Sequence, residues 1–166
     1  MTGWGDELEF LEALENSAVP QLILGSTYAY YGLLVVHALG MAAVVGGAIM
    51  LSLRVLGYGR GIAVSALELL TRIAAWGFVA NATSGLLLYT TNASKLTVLW
   101  TFQIKIISIL LGGLSLWLMW RVVGPHKDEP DFNYGQRAKL AALVTILLWS
   151  SAIVSGRYIA YTLPTF

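Results

Sequence analysis

Four long apolar stretches, separated by short polar segments, dominate the hydrophobic pattern of this 166-residue chain. They cover residues 28–53, 66–89, 99–123 and 140–161. About 20 apolar residues in an α-helix cross the hydrocarbon core of a bilayer, and each stretch is long enough to do so. The pattern therefore predicts an all-α integral membrane protein, a four-helix up-down bundle over residues 26–163.

The first 25 residues have a different pattern. Trp4, Leu8, Leu11 and Ala18 recur at helical spacing, with acidic residues on the opposite side. This spacing predicts a short amphipathic helix that lies in the membrane interface, and a solvated acidic tail is the alternative. The first 20 residues contain five acids and no Lys or Arg, so a cleavable signal peptide is not expected.

The composition agrees with a bilayer protein. Hydrophobic residues make up 57% of the chain and charged residues 11%, whereas soluble domains carry about 25% charged residues. The formal net charge is +1, so no basic field exists to attract nucleic acid, and no nucleic-acid partner is expected. The absence of cysteine excludes disulfides, iron–sulfur clusters and cysteine nucleophiles.

Basic residues are distributed unevenly among the connections between the predicted spans. The second connection contains only Lys95. The first and third connections and their borders contain the others: Arg54, Arg60, Arg121, Lys127, Arg137 and Lys139. Because basic residues concentrate on the cytoplasmic side, the first and third connections should be cytoplasmic. Both termini should then lie on the outer side of the membrane.

Polar residues of different spans share one depth. Counting inward from the aromatic residues at the outer boundary, at 1.5 Å per residue, places five of them roughly 6–12 Å below it. They are His37, Asn81, Ser84, Lys105 and Arg157. The inner half of the same helices is almost purely apolar. Because polar groups inside a bilayer are costly, this layer is the candidate functional site.

Each residue of the layer also has a structural explanation. Lys105 and Arg157 are near enough to the boundary for their charges to reach the headgroups. His37 could be a core histidine that is hydrogen-bonded to Ser84 or to a backbone carbonyl. Asn81 and Ser84 could simply hold helices together, which is common in membranes.

A flat ligand with anionic groups would explain the whole layer, and haem b is such a ligand. His37 would be the axial metal ligand, Lys105 and Arg157 would pair with the propionates, and Trp149 would form a wall. Gly40 would clear space for the ring, with close helix packing as its alternative role. The other histidine lies in a polar connection, so iron would be five-coordinate, take Lys105 as its sixth ligand, or be shared across a homo-oligomer. A quinone headgroup could use the same His, Asn and Lys side chains.

Three segments of the chain resemble known membrane proteins: HALGMAAVVGGAIMLSLRVLG, FQIKIISILL and LLWSSAIVSGRYIAY. They resemble an uncharacterised family of short four-helix bacterial membrane proteins. That resemblance covers nearly the whole chain and implies the same four-helix fold and a location in the bacterial inner membrane, but no established activity. Together with the distribution of basic residues, it would make both termini periplasmic. More distantly, the His of the first span and the Lys of the third are similar to those of the copper-resistance D membrane proteins and the HemJ-type protoporphyrinogen oxidases. The latter resemblance implies haem binding and porphyrin chemistry at His37 and Lys105.

Three functions remain open at this point. The first is an inner-membrane redox protein that binds haem b or a quinone in the periplasmic half, with a periplasmic redox partner or other membrane subunits. The second is an accessory or structural subunit of a larger membrane complex, without a cofactor of its own. The third is a porphyrin- or haem-handling oxidase. The chain contains no HExxH motif and no glycine-rich phosphate loop, which excludes metalloprotease and nucleotide chemistry.

Overall fold

The computed structural model describes residues 3–59, 64–126, 129 and 132–162. Over these residues it contains helices and no strand, so the all-α prediction is confirmed. The α-helices are α1 (Gly3–Glu15), α2 (Ala18–Leu24), α3 (Thr27–Leu56), α4 (Val64–Thr90), α5 (Ala93–Val98), α6 (Trp100–Val123) and α7 (Gln136–Thr162). A 3₁₀ turn, Gly124–His126, extends α6.

Within the part of the chain that the structure describes, three helical segments are long and apolar enough to cross a membrane: Thr27–Leu56, Trp100–His126 and Gln136–Thr162. They match the first, third and fourth predicted spans. The second predicted span, 66–89, coincides with α4, which has 27 residues and therefore the length of a span. Helix α4 is not among the segments that are apolar enough by this measure, and its polar residues include Asn81, Thr83 and Ser84.

Two short helices, α2 and α5, lie outside the four predicted spans. Pro20 lies in the first turn of α2. A proline is tolerated there because its missing N–H would have no partner within the helix. Pro20 and Ile23 are buried, and α2 packs against α3 and α4. The polar connection after α4 contains α5, which the hydrophobic pattern did not predict.

The long helices pack in the order α4, α3, α7, α6. Helix α3 contacts α4 on one side and α7 on the other, and α7 contacts α6. Among the described residues, α4 and α6 scarcely touch, so a cleft separates them. A core cluster where α3 meets α7 contains Val44, Val45, Ala48, Trp149 and Ala152. Many other large apolar side chains point outward, as expected for helices surrounded by lipid.

Small residues allow α3 and α4 to approach each other closely. A methyl group at Gly40 would lie 2.7 Å from the carbonyl oxygen of Gly77 and 2.8 Å from the backbone nitrogen of Asn81. A methyl group at Gly47 would lie 2.7 Å from Cβ of Ala74. Only a hydrogen fits at these places, so the glycines determine the distance between the two helices.

A second core cluster, which includes Tyr134, lies at the end of the bundle beside the 3₁₀ turn. Arg54, in the last turn of α3, is only 2% exposed and lies close enough to Tyr134 to act on it electrostatically. Burial raises the pKa of the Tyr134 hydroxyl, and the positive charge of Arg54 opposes this rise. Arg54 therefore belongs to the folded core as well as to the basic border of the first connection.

The N-terminal helices lie across the other end of the bundle. Helix α1 packs against α5, and the carboxylate of Glu15 accepts hydrogen bonds from the backbone N–H and the hydroxyl of Ser94, both at 2.7 Å. This places α1 and α5 together beside the C-terminal end of α4 and the N-terminal end of α6, near the predicted polar layer.

Candidate functional site

The His37 ring is held at the contact between α3 and α4. Its Nδ1 lies 3.1 Å from the backbone carbonyl oxygen of Asn81 and 3.2 Å from Oγ of Ser84. In return, the side-chain amide of Asn81 donates a hydrogen bond of 2.8 Å to the backbone carbonyl of His37. The structure thus brings together three residues of the predicted polar layer.

These contacts determine how the neutral imidazole carries its proton. A carbonyl oxygen can only accept a hydrogen bond, so Nδ1 carries the hydrogen and Nε2 keeps a lone pair. Within the described residues, Nε2 of His37 has no hydrogen-bond partner. The ring therefore offers an acceptor, or a metal-ligating nitrogen, to whatever enters the adjacent cavity. Metal-binding histidines are commonly oriented by the same kind of bond from their other nitrogen.

Gly85 makes room for the His37 ring. A methyl group at Gly85 would lie 2.9 Å from Cε1 and 3.3 Å from Nδ1 of His37. Gly40, which the sequence analysis proposed as a space for a flat ligand, instead lies against α4 one turn along α3. The structure thus places Gly40 in the close packing that was its alternative role.

A cavity of about 360 Å³ lies beside His37, lined by residues of α3, α4 and α6. Asn81 and Lys105 line it with His37, and apolar residues form the rest: Phe78, Ala82, Gly85, Leu86, Phe102, Ile106, Ile109 and Leu110, with the ring of Tyr89. Its volume falls within the range of small-molecule sites, which are mostly apolar with a few polar groups.

Lys105 is directed toward the interior of the bundle. A methyl group at Gly156 on α7 would lie 3.4 Å from Cε and 3.5 Å from Nζ of Lys105. The ammonium is half-buried, and it lies close enough to the His37 ring for the two to interact electrostatically. In the described part of the chain, Nζ of Lys105 has no ion pair with a carboxylate. The cavity therefore has one cationic donor and one neutral acceptor.

Two residues of the predicted site lie elsewhere. Arg157 is exposed, and its guanidinium lies over the ring of Tyr161, 5.4 Å from the ring centre. Trp149 is 2% exposed and packs in the core between α3 and α7, with its indole against Gly112. Neither side chain lines the cavity beside His37.

Two aromatic residues that sequence reasoning did not assign to the site line the cavity near α5. The rings of Tyr89 and Phe102 stack with their centres 5.5 Å apart and an interplanar angle of 12°. The hydroxyl of Tyr89 is hydrogen-bonded to Oγ1 of Thr97 on α5, at 2.7 Å. Helical register could have identified both, because Tyr89 lies four residues after Gly85 and Phe102 three before Lys105.

A second cavity, of about 540 Å³, continues from the first toward the opposite end of the bundle. The two cavities share Phe78, Ile109 and Leu110 as lining residues. The second is lined by apolar side chains, with Thr71 as its one hydroxyl residue and Trp149 in its wall. Together, the two cavities follow the cleft between α4 and α6.

The chemistry available at this site is limited to binding through a few groups. No cluster of three or more His, Asp or Glu residues that could hold a metal ion occurs in the described ranges. Any metal bound there would therefore depend on His37 and on ligands from a cofactor. Searches against protein-family models, curated proteins and solved structures found no match for this chain, so its site is interpreted from geometry alone.

Proposed function

We propose that this chain is a multi-pass protein of the bacterial inner membrane, with α3, α4, α6 and α7 as its four spans. The length of α4 and its close packing against α3 support its inclusion with the three more apolar helices. The basic residues at the first and third connections favour a cytoplasmic location for both, with the termini periplasmic. The outward-facing apolar side chains would then contact lipid.

Within this bundle, the cavity between His37 and Lys105 binds the headgroup of an isoprenoid quinone. The observation that carries this proposal is a small group of polar side chains, His37 and Lys105 with Asn81, inside a mostly apolar cavity at the cleft where α4 and α6 scarcely touch. A lipid-soluble ligand could enter such a site sideways from the bilayer. Quinones are lipid-soluble and present two ring oxygens to polar groups.

The two polar side chains suit both oxidation states of the ligand. The Lys105 ammonium donates a hydrogen bond to a quinone carbonyl, and Nε2 of His37 accepts one from a quinol hydroxyl. The Asn81 carbonyl holds the proton on Nδ1, which keeps Nε2 available as the acceptor. The stacked rings of Tyr89 and Phe102 cover the flat headgroup from the outer side.

Haem b is the second candidate, and the orientation of His37 favours it. The Nε2 lone pair could ligate iron, and Lys105 could pair with one propionate. The fit is incomplete, because Arg157, expected to pair with the other propionate, lies over Tyr161 outside the cavity. Bound haem would supply one-electron transfer. In that case the chain's own residues would hold the iron and one carboxylate.

The ligand that co-purifies with the protein in detergent, when none is added, distinguishes these candidates. We expect organic extraction to recover quinone in amounts comparable with the protein, and the visible spectrum to show no Soret band. His37→Ala should lose the quinone. His126→Ala is the matched control, because His126 is the other histidine of the chain and stacks on Phe132 in the third connection.

Each other outcome has a defined meaning. A Soret band that His37→Ala abolishes and His126→Ala retains would replace the quinone with haem b. Well-folded protein with neither ligand, and with no affinity for added quinone, would contradict both candidates. It would favour the accessory-subunit function, in which the polar layer only holds helices together.

A further inference from the structure

We propose that the second, apolar cavity holds the isoprenoid tail of the quinone whose headgroup lies between His37 and Lys105. The inference rests on the proposed function and extends it to the tail as a determinant of specificity. The second cavity has a volume of about 540 Å³ and an almost entirely apolar lining. Because polar groups without partners are costly to bury there, this lining suits a hydrocarbon occupant.

The second cavity is a continuation of the headgroup site. Along α6, Lys105 lines the first cavity, Ile109 lines both, and Gly113, Trp117 and Trp120 line the second. These residues are three or four apart, so they lie on one face of the helix. The 15 residue steps from Lys105 to Trp120 span roughly 22 Å at 1.5 Å per residue. A polar head at one end therefore meets a long apolar groove.

The facing helix follows the same course. On α4, Asn81 lines the first cavity, Phe78 lines both, and Ala74, Ala75 and Thr71 line the second. Alanines on α4 face Gly113 on α6, where an added methyl group would have no atom within 4 Å. The width of the groove therefore depends on small side chains on both walls.

The depth of the polar end favours a quinone over a phospholipid as the occupant. By residue counting, Lys105 lies ~8 Å below the outer boundary, whereas phospholipid headgroups remain at the interface. A phospholipid would fill the groove with an acyl chain and leave His37 and Lys105 without a partner. A quinone places a polar ring at that depth and a hydrocarbon tail beyond it, so it occupies both cavities at once.

The test compares affinities for two quinones that have the same ring: ubiquinone without a tail and decylubiquinone, with a ten-carbon tail. Binding to full-length protein in one detergent is measured by quenching of tryptophan fluorescence. Gly113→Leu should reduce the affinity for decylubiquinone about ten-fold and change the affinity for the tail-less quinone less than two-fold. Ala75→Leu changes an exposed residue on the α4 wall of the second cavity and should have the same effect. It replaces Gly113→Leu in the test if that variant does not fold.

Gly46→Leu is the matched control. Gly46 is also a span glycine with no atom within 4 Å of an added methyl group, but it lies on α3 outside both cavities. This variant should keep the wild-type affinities for both quinones. The tail partitions into detergent equally in every sample, so a loss of affinity that is confined to the groove variants is due to the groove. If Gly113→Leu and Ala75→Leu bind decylubiquinone as the wild type does, the second cavity does not hold the tail. The proposed headgroup site would be unaffected by that result. If the wild type binds neither quinone, the proposed function fails and the groove fails with it.

Discussion

His37 and Asn81 hold each other across the contact of α3 and α4 through two reciprocal hydrogen bonds. The ring nitrogen Nδ1 of His37 donates to the carbonyl of Asn81 at 3.1 Å, and the amide of Asn81 donates to the carbonyl of His37 at 2.8 Å. The same pair therefore joins two helices and orients the imidazole. Helix packing and the polar site depend on one set of contacts.

Asn81→Ala should lower the free energy of unfolding by about 1 kcal/mol, because it removes one hydrogen bond between helices. The measurement is an SDS titration of the protein in mixed micelles. Thr83→Ala is the control, since the Thr83 hydroxyl bonds only to carbonyls of its own helix. Equal effects of the two substitutions would show that the bond between Asn81 and His37 contributes nothing to stability.

Gly40→Ala should destabilise the protein by roughly 1–3 kcal/mol, because the added methyl group would overlap the backbone of α4 at Gly77 and Asn81. The same SDS titration measures the effect. Gly46→Ala, where the methyl group meets open space, should be neutral or slightly stabilising. A Gly40→Ala protein as stable as Gly46→Ala would mean that α3 and α4 are farther apart than described.

Glu15→Ala should release α1 from α5. The carboxylate accepts two short hydrogen bonds from Ser94, and a hydrogen bond to a charged group contributes about 1.5–3 kcal/mol. We expect hydrogen exchange in α1 to become about ten-fold faster or more, as measured by mass spectrometry. The matched control is Glu12→Ala, at an exposed position of the same helix. Unchanged exchange in Glu15→Ala would argue against the docking of α1 on α5.

The proposed topology can be tested with single cysteines, because the natural chain has none. Lys95→Cys, in the connection between α4 and α6, should react with a membrane-impermeant maleimide added outside intact cells. Tyr58→Cys, just after α3 and 67% exposed, should react only after the cells are opened. The reverse pattern would show that the bundle has the opposite orientation, with the His37 cavity in the cytoplasmic half.

The long helices were predictable because each is a long apolar run, which hydropathy detects directly. Helix α5 was not, since a six-residue helix in a polar connection has too little periodicity to be recognised. The order of packing was also beyond the sequence, because hydropathy reports the depth of a residue and not which helix it faces. The cleft between α4 and α6 could therefore be found only in the structure.

The candidate site shows the same limit at the level of single residues. Depth grouped His37, Asn81, Ser84 and Lys105, and in the structure these residues lie at or beside one cavity. Arg157 has a similar depth, but consecutive helical residues are rotated by roughly 100°. Gly156 therefore faces Lys105 while Arg157 points outward to Tyr161.

The affinity of Lys105→Met for tail-less ubiquinone, compared with that of Lys95→Met, tests the headgroup site most directly. Methionine keeps most of the length of the side chain and removes the charged donor, and Lys95→Met makes the same change on α5, outside the cavity. Loss of a charge-assisted hydrogen bond of about 1.5–3 kcal/mol predicts roughly 10- to 150-fold weaker binding for Lys105→Met. Lys95→Met should bind as the wild type does. Equal affinities of the two variants, or a wild type that does not bind the quinone, would contradict a headgroup site between His37 and Lys105.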